Sequence, residues 1–253
     1  MQFSIKIIRT LSWTKCSKYE IMLVSKMEVF RVMKCYPIKM EIAGPTAMWT
    51  RPDTGDCPVS YPAPTYSAVR NIFQSILWGQ AVRVVPRQVD ICAPLQFHTY
   101  NTNYGGPLRK PSVVKSGGGY QLLATVLTDV QYRLFADVVE VPPSNTESQR
   151  TREWRKRTKS PGHAYQEIFD RRLTSGKCFH TPFLGWKEFA ATYFGPIRQN
   201  TQPVDVTTVL PSMFRETVYG PDGKFLRYSF DQNVKIEHGA LRFPSEPQEV
   251  DYA

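Results

Sequence analysis

The chain has 253 residues with an ordinary hydrophobic fraction of 42%, enough to bury a core and too apolar for global disorder. Lys plus Arg number 32 against 22 Asp plus Glu, a net charge of +10 that favours polyanionic partners without choosing among RNA, DNA and anionic lipid. The absence of an 18-residue apolar run argues against a membrane span, and the lack of HExxH, a Cys/His cluster or a Walker-type glycine loop gives no sign of metal or nucleotide cofactor.

The five cysteines, Cys16, Cys35, Cys57, Cys92 and Cys178, are scattered and odd in number, which fits free thiols in a reducing cytoplasm. Residues 1–35 are basic and patchily apolar but lack a signal-peptide core, so they form an N-terminal extension of uncertain role. Alternation from Tyr36 to Ile42 predicts a strand, ended by Gly44-Pro45. A Pro-, Gly- and Asp-rich loop covers 50–64. Thr65 then offers an N-cap to a helix whose stripe is Val69, Ile72, Phe73, Ile76 and Leu77, with Gly79 in the C′ position. Strands are predicted at Val82–Val85 and Val89–Phe97.

Asn101–Gly119 differs in composition. It holds Gly105-Gly106, three glycines at 117–119 and the cations Arg109, Lys110 and Lys115, as expected of a flexible basic loop or the tip of a long hairpin. Tyr120–Val126 and Val130–Val138 read as two strands around Thr128-Asp129. Residues 142–162 read as a polar linker carrying Arg150, Arg152, Arg155, Lys156, Arg157 and Lys159, six cations in ten residues. A second helix is predicted over Ala164–Leu173, stopped by Gly176. Gly220-Pro-Asp-Gly223 marks a hairpin between Phe214–Tyr219 and Lys224–Phe230, and the tail from Ser245 to Ala253 is expected to fray. Strands interleaved with two helices imply an α+β fold, a ferredoxin-like sheet with helices on one face.

Five stretches carry a resemblance. They are Gly44-Pro-Thr-Ala-Met-Trp-Thr-Arg-Pro52, Val59-Ser-Tyr-Pro-Ala-Pro-Thr-Tyr-Ser-Ala-Val-Arg70, Ser75-Ile-Leu-Trp-Gly79, Cys178-Phe-His-Thr-Pro-Phe-Leu-Gly-Trp-Lys-Glu-Phe189 and Val234-Lys-Ile-Glu-His-Gly-Ala-Leu-Arg-Phe-Pro244. In order and spacing they resemble the CRISPR-associated Cas-five family, especially its type I-C branch, over residues 36–244. The resemblance implies a single RNA-binding domain with a modified RNA-recognition (RAMP-type) fold and a protruding thumb hairpin. It also implies a place in a Cascade complex, where the protein caps the 5′ handle of the crRNA, meets the backbone and large subunits, and supports target DNA recognition. The thumb or RNA-contacting loop is expected at 101–119.

Members of the same branch cut precursor crRNA without metal, using a Tyr late in the first helix and a Lys-His pair at the start of the second. The corresponding positions here are Leu77, Ala164 and Tyr165. Leu and Ala can neither give nor take a proton, and a Tyr of pKa about 10 is a poor base at neutral pH. The resemblance therefore implies a subunit without catalytic residues; a shift of one or two positions would bring in His163, with Lys159 nearby, and keep the endoribonuclease reading open. A nucleic-acid-binding scaffold outside CRISPR systems also remains open. The expected RNA contacts are Arg51 and Arg70 toward phosphate, Tyr61, Tyr66 and Trp78 toward bases, Arg109, Lys110 and Lys115 on the loop, and Arg150, Arg152, Arg155, Lys156 and Arg157 on the linker.

Overall fold

A computed structural model of the chain describes residues 19–21, 32–104, 112, 115, 120–220 and 223–244. Its strands are β1 (Tyr19–Ile21), β2 (Val32–Ala47), β3 (Val82–Ile91), β4 (Gln96–Tyr104), β5 (Tyr120–Glu140), β6 (Tyr193–Gly195), β7 (Thr208–Tyr219), β8 (Phe225–Glu237) and β9 (Ala240–Arg242). Its helices are α1 (Tyr66–Ile76), α2 (Gln149–Arg157) and α3 (Pro161–Thr174). The main sheet path is β1-β2-β5-β3-β9-β8-β7, with β4 on the outer part of β5 and β6 on β2. Every ladder given by the register is antiparallel.

Period-two alternation builds the core. Tyr36, Ile38, Met40 and Ile42 of β2 and Tyr132, Leu134, Ala136 and Val138 of β5 are buried on one sheet face. They pack with Val69, Ile72, Phe73 and Ile76 of α1 and Tyr165, Phe169 and Leu173 of α3. This is the expected α+β arrangement, a ferredoxin-like sheet with helices on one face. Thr65 caps α1 as expected, its hydroxyl accepting from the Ala68 amide at 3.3 Å.

β5 explains the hairpin that projects from this body. Its 21 residues pair with β2 and β3 through Leu127–Glu140, while Tyr120–Thr128 pair with β4. The expected long hairpin thus has stems ending at Tyr104 and starting at Tyr120. Arg109 and Lys110 lie outside the described residues; Lys115 is exposed.

Several boundaries differ from the sequence expectation. Gly44-Pro45 do not end β2, which runs on to Ala47. Pro45 has no N–H to place in the ladder, and the register steps from Gly44↔Val130 to Thr46↔Thr128 across it. Asp129, facing that step, takes a φ of +52°, so the two strands predicted around Thr128-Asp129 are one strand with a local irregularity. Gly44 itself permits a close approach, since a Cβ there would lie 2.5 Å from Leu184 Cδ1. The two strands predicted over 82–97 are also redrawn. Pro86 lies at a register shift within a continuous β3, and Phe97 belongs to β4.

Gly79 is not a C′ glycine, because α1 stops at Ile76 and Leu77 is already extended. The expected linker over 142–162 contains α2, and α3 begins at Pro161 rather than Ala164, with proline at a position where a helix needs no N–H. The predicted β7–β8 hairpin is present, with longer strands than the turn signal alone indicated.

Candidate nucleic-acid interface

The basic segment 150–159 is organised by a helical stripe of unusual composition. Thr151, Trp154, Arg155 and Thr158, at i, i+3, i+4 and i+7, are the partly buried side of α2 and its C-cap. Ser148 caps the helix, accepting from the Thr151 amide at 3.2 Å. Gln80 Oε1 accepts from the Ser148 amide at 3.0 Å and the Thr151 hydroxyl at 2.9 Å, tying α2 to the connection between α1 and β3.

Arg155 supplies the second tie. Its guanidinium donates to the Val141 carbonyl at 2.6 Å and to Glu147 Oε1 from Nε at 2.9 Å and Nη2 at 2.6 Å. Arg155 therefore anchors the helix. The other cations, Arg150, Arg152, Lys156, Arg157 and Lys159, are exposed, and Arg152 donates to the Asn145 carbonyl at 2.7 Å. Trp78, two residues before Gln80, is 58% exposed and presents a large ring near the place where α2 is tied down.

The three positions implied in catalysis come from α1's end and α3's first turns. The Tyr165 phenol donates to the Leu77 carbonyl, and its ring packs beside Gly79, where a Cβ would lie 3.7 Å away. Tyr165 also stacks on Phe169 with centroids 6.4 Å apart. Burial pushes the phenol's pKa above its ordinary value of 10.0, further from use as a base at neutral pH. Leu77 is half-buried against the core, and Ala164 is half-buried on the next face of α3.

His163 belongs to the first turns of α3. Its ring meets Tyr36 edge-on at 6.1 Å, and Nε2 is 3.6 Å from Glu167 Oε1. Two residues before Tyr165, it projects about 200° away around the helix, so the side that meets Leu77 carries the phenol and not the imidazole. Ser160 and Gly162 fix this turn: Glu140 Oε1 accepts from the Ser160 hydroxyl at 3.0 Å and the Gly162 amide at 2.9 Å, and Tyr36 Oη lies 2.5 Å from Ser160 Oγ. Any Cβ at Gly162 would collide with the Tyr36 ring.

The remaining candidates divide between surface and core. Arg51 is held by Asp53 at 2.6 Å and lies 5.8 Å from the Tyr61 ring centroid. The Arg51 hydrogen bond holds the Asp53 carboxyl below its ordinary value, against a smaller opposing effect of burial. Arg70 pairs with Glu216 at 2.5 Å and is half-buried. Tyr61 and Tyr66 are buried: Tyr61 accepts from the Phe214 amide at 3.1 Å, while Tyr66 lies under the Arg215 guanidinium at 4.0 Å and edge-on to Phe243 at 5.5 Å.

Two features escaped sequence reasoning. Glu41, wholly buried on the sheet face away from the helices, accepts from Arg198 Nε at 2.7 Å, the Arg198 amide at 2.8 Å and Gln131 at 2.8 Å. Burial raises its pKa, but the Arg198 amide, Gln131, the Arg198 side chain and Thr201 together outweigh it and hold the carboxyl below 4.5. No local pattern signals contacts 90 and 157 residues apart. The second feature is an exposed aromatic tip on β7–β8, hinted at only by the density of rings beside the Gly-Pro-Asp-Gly turn. No described helix is long and apolar enough to cross a membrane.

Residues 38–244 match the family model of the CRISPR-associated protein Cas5 group. Over 160 residues the chain is 31% identical to the CRISPR pre-crRNA endoribonuclease Cas5d of Thermus thermophilus, covering 63% of each chain. Over 192 residues it is 29% identical to the Cas5d protein of the same description from Mannheimia succiniciproducens, covering 70% of this chain and 79% of that one. The match thus spans less than two thirds of the Thermus relative's length. A solved structure described as a CRISPR-associated protein shares the fold, with a TM-score of 0.62 at 20% identity over 87% of this chain and 97% of that one.

Proposed function

This chain belongs to the Cas5 family of CRISPR-associated proteins, and from that premise we propose that it grips the 5′ handle of a crRNA as a non-cleaving subunit of a Cascade complex. One arrangement carries the reading. α2 presents exposed Arg150, Arg152, Lys156 and Arg157, and Gln80 ties its first turn to the connection that carries exposed Trp78 and the Leu77 carbonyl on which Tyr165 closes. Outward cations supply phosphate contacts and the indole a stacking face, the combination that holds unpaired RNA. The β4–β5 hairpin, with Arg109, Lys110 and Lys115 in its connecting segment, is the second surface we assign to the RNA and to the adjacent backbone subunit. Arg155 is left out of the contact set because its donors already serve Val141 and Glu147.

The same junction supports the non-cleaving part. Metal-independent scission needs a base at the 2′-hydroxyl and a proton donor at the departing 5′-oxygen. At the junction stand a leucine, an alanine and a buried phenol already bonded to a carbonyl. A separate nuclease then supplies the mature RNA. The names of the two relatives favour the other reading, precursor cleavage by this chain itself. The test incubates the pure protein with labelled CRISPR repeat RNA in EDTA and follows the product ends. The proposal expects tight binding and intact RNA. Specific cleavage at the handle boundary, lost in His163→Ala, would overturn it.

A further inference from the structure

A run of aromatic rings leaves the body of the protein along β7 and β8. Tyr61, under Arg51, accepts from the Phe214 amide; the Phe214 ring meets Phe230 at 5.7 Å and Tyr228 at 6.2 Å, and Tyr228 meets Phe225 at 4.9 Å. Toward the turn these rings come into the open. Tyr219, Phe225 and Tyr228 are 61%, 52% and 61% exposed. Rings clustered at this density are normally covered, so an uncovered set marks a contact surface.

The chemistry of the set favours one kind of partner. It consists chiefly of flat rings, and the exposed cations Lys224, just before β8, and Arg227, within it, stand among them. Positive charge between stacking faces, on a chain of net charge +10, complements a polyanion whose bases are unpaired. Exposed phenols at Tyr219 and Tyr228 add hydroxyls able to bond a ribose 2′-hydroxyl.

We propose that the β7–β8 hairpin is a second RNA contact, on which Phe225 and Tyr228 stack successive bases of single-stranded RNA. It rests on the reading of the chain as an RNA-holding subunit but uses none of the α2 or Trp78 residues. The test uses the full chain and an unstructured 12-nucleotide RNA carrying 4-thiouridine, read by ultraviolet crosslinking with peptide mapping and by fluorescence anisotropy. Crosslinks are expected within residues 214–230. The double variant Phe225→Leu, Tyr228→Leu keeps apolar area but removes the π faces. It should lose those crosslinks and about a hundredfold in affinity, roughly tenfold for each of the two stacked bases, with an unchanged melting curve. Replacing Arg150, Arg152, Lys156 and Arg157 by Ala weakens total binding yet leaves the hairpin crosslinks at low salt, which separates failure of this proposal from failure of the α2 surface. Wild-type protein without hairpin crosslinks to the RNA, or a leucine variant that binds as tightly as wild type, would overturn the proposal; the second result is the one a protein-docking face gives. Equal affinity for DNA of the same sequence would overturn the assignment to RNA.

Discussion

α1 and α2 are similar in length, 11 and 9 residues, and each opens on a hydroxyl cap, yet they are held by opposite means. α1 buries Val69, Ile72, Phe73 and Ile76 in the core. α2 buries no residue fully and is held by polar ties, Gln80 to its first turn and Arg155 to Val141 and Glu147. A helix fixed by an apolar stripe contributes to the core and has its surface chemistry constrained by it. A helix fixed by a few polar ties can carry cations around the rest of its circumference, and α2 does.

The contrast is broken or sharpened first at Ile72. Ile72→Asp places an unpaired charge where the side chain is 4% exposed. The cost should exceed about 4 kcal/mol and unfold the domain, seen as loss of the cooperative melt and of far-ultraviolet dichroism. A folded variant would mean that α1 is not the structural helix.

Arg155→Ala comes next. It leaves the Glu147 carboxylate, 5% exposed, without its ion-pair partner, at a cost of about 3 kcal/mol. The loss should be local: amide exchange accelerates across 149–157 while α1 amides stay protected. Equal acceleration in both helices would remove the distinction between them.

The smallest effect is expected from pH. Polar ties can titrate and the α1 stripe cannot. Glu41, held below 4.5 by Arg198 and Gln131, contributes stability that is fully present above 4.5 and is lost as pH falls through its lowered folded value. Glu41→Gln should flatten that part of the acid limb in a series of melts at falling pH. An unchanged acid limb would show that the tie carries no charge-dependent stability.

Legibility in the sequence follows the same division. α1, its cap and the alternating faces of β2 and β5 could be read directly, because hydrophobic burial writes its period into neighbouring residues. The β7–β8 hairpin was legible for a related reason, a turn whose chemistry is local. α2 has an equally regular stripe, but Thr151, Trp154, Arg155 and Thr158 are mostly polar, so a hydrophobicity pattern sees a charged linker. Pro45 and Pro86 were read as breaks or gaps because proline removes a donor. Whether the ladder can spare that donor depends on the partner strand, which lies far away in sequence.

At the candidate site, the identities of Leu77, Ala164 and Tyr165 were readable from the resemblance, but not the phenol-to-carbonyl bond across 88 residues. Tyr61 and Tyr66 could not be separated from Trp78 by type, since a ring suits either a core or a base. Their burial is decided by Phe214, Arg215 and Phe243, all more than a hundred residues downstream.

The most direct test of the central claim is the salt dependence of RNA binding. For single strands, each phosphate contact contributes roughly 0.7 to the slope of log affinity against log salt. Replacing Arg150, Arg152, Lys156 and Arg157 together by Ala should make that slope shallower by about 3, with the fold intact because Arg155 and Gln80 still hold α2. An unchanged slope and affinity in a folded variant would contradict the account and place the RNA elsewhere on the protein.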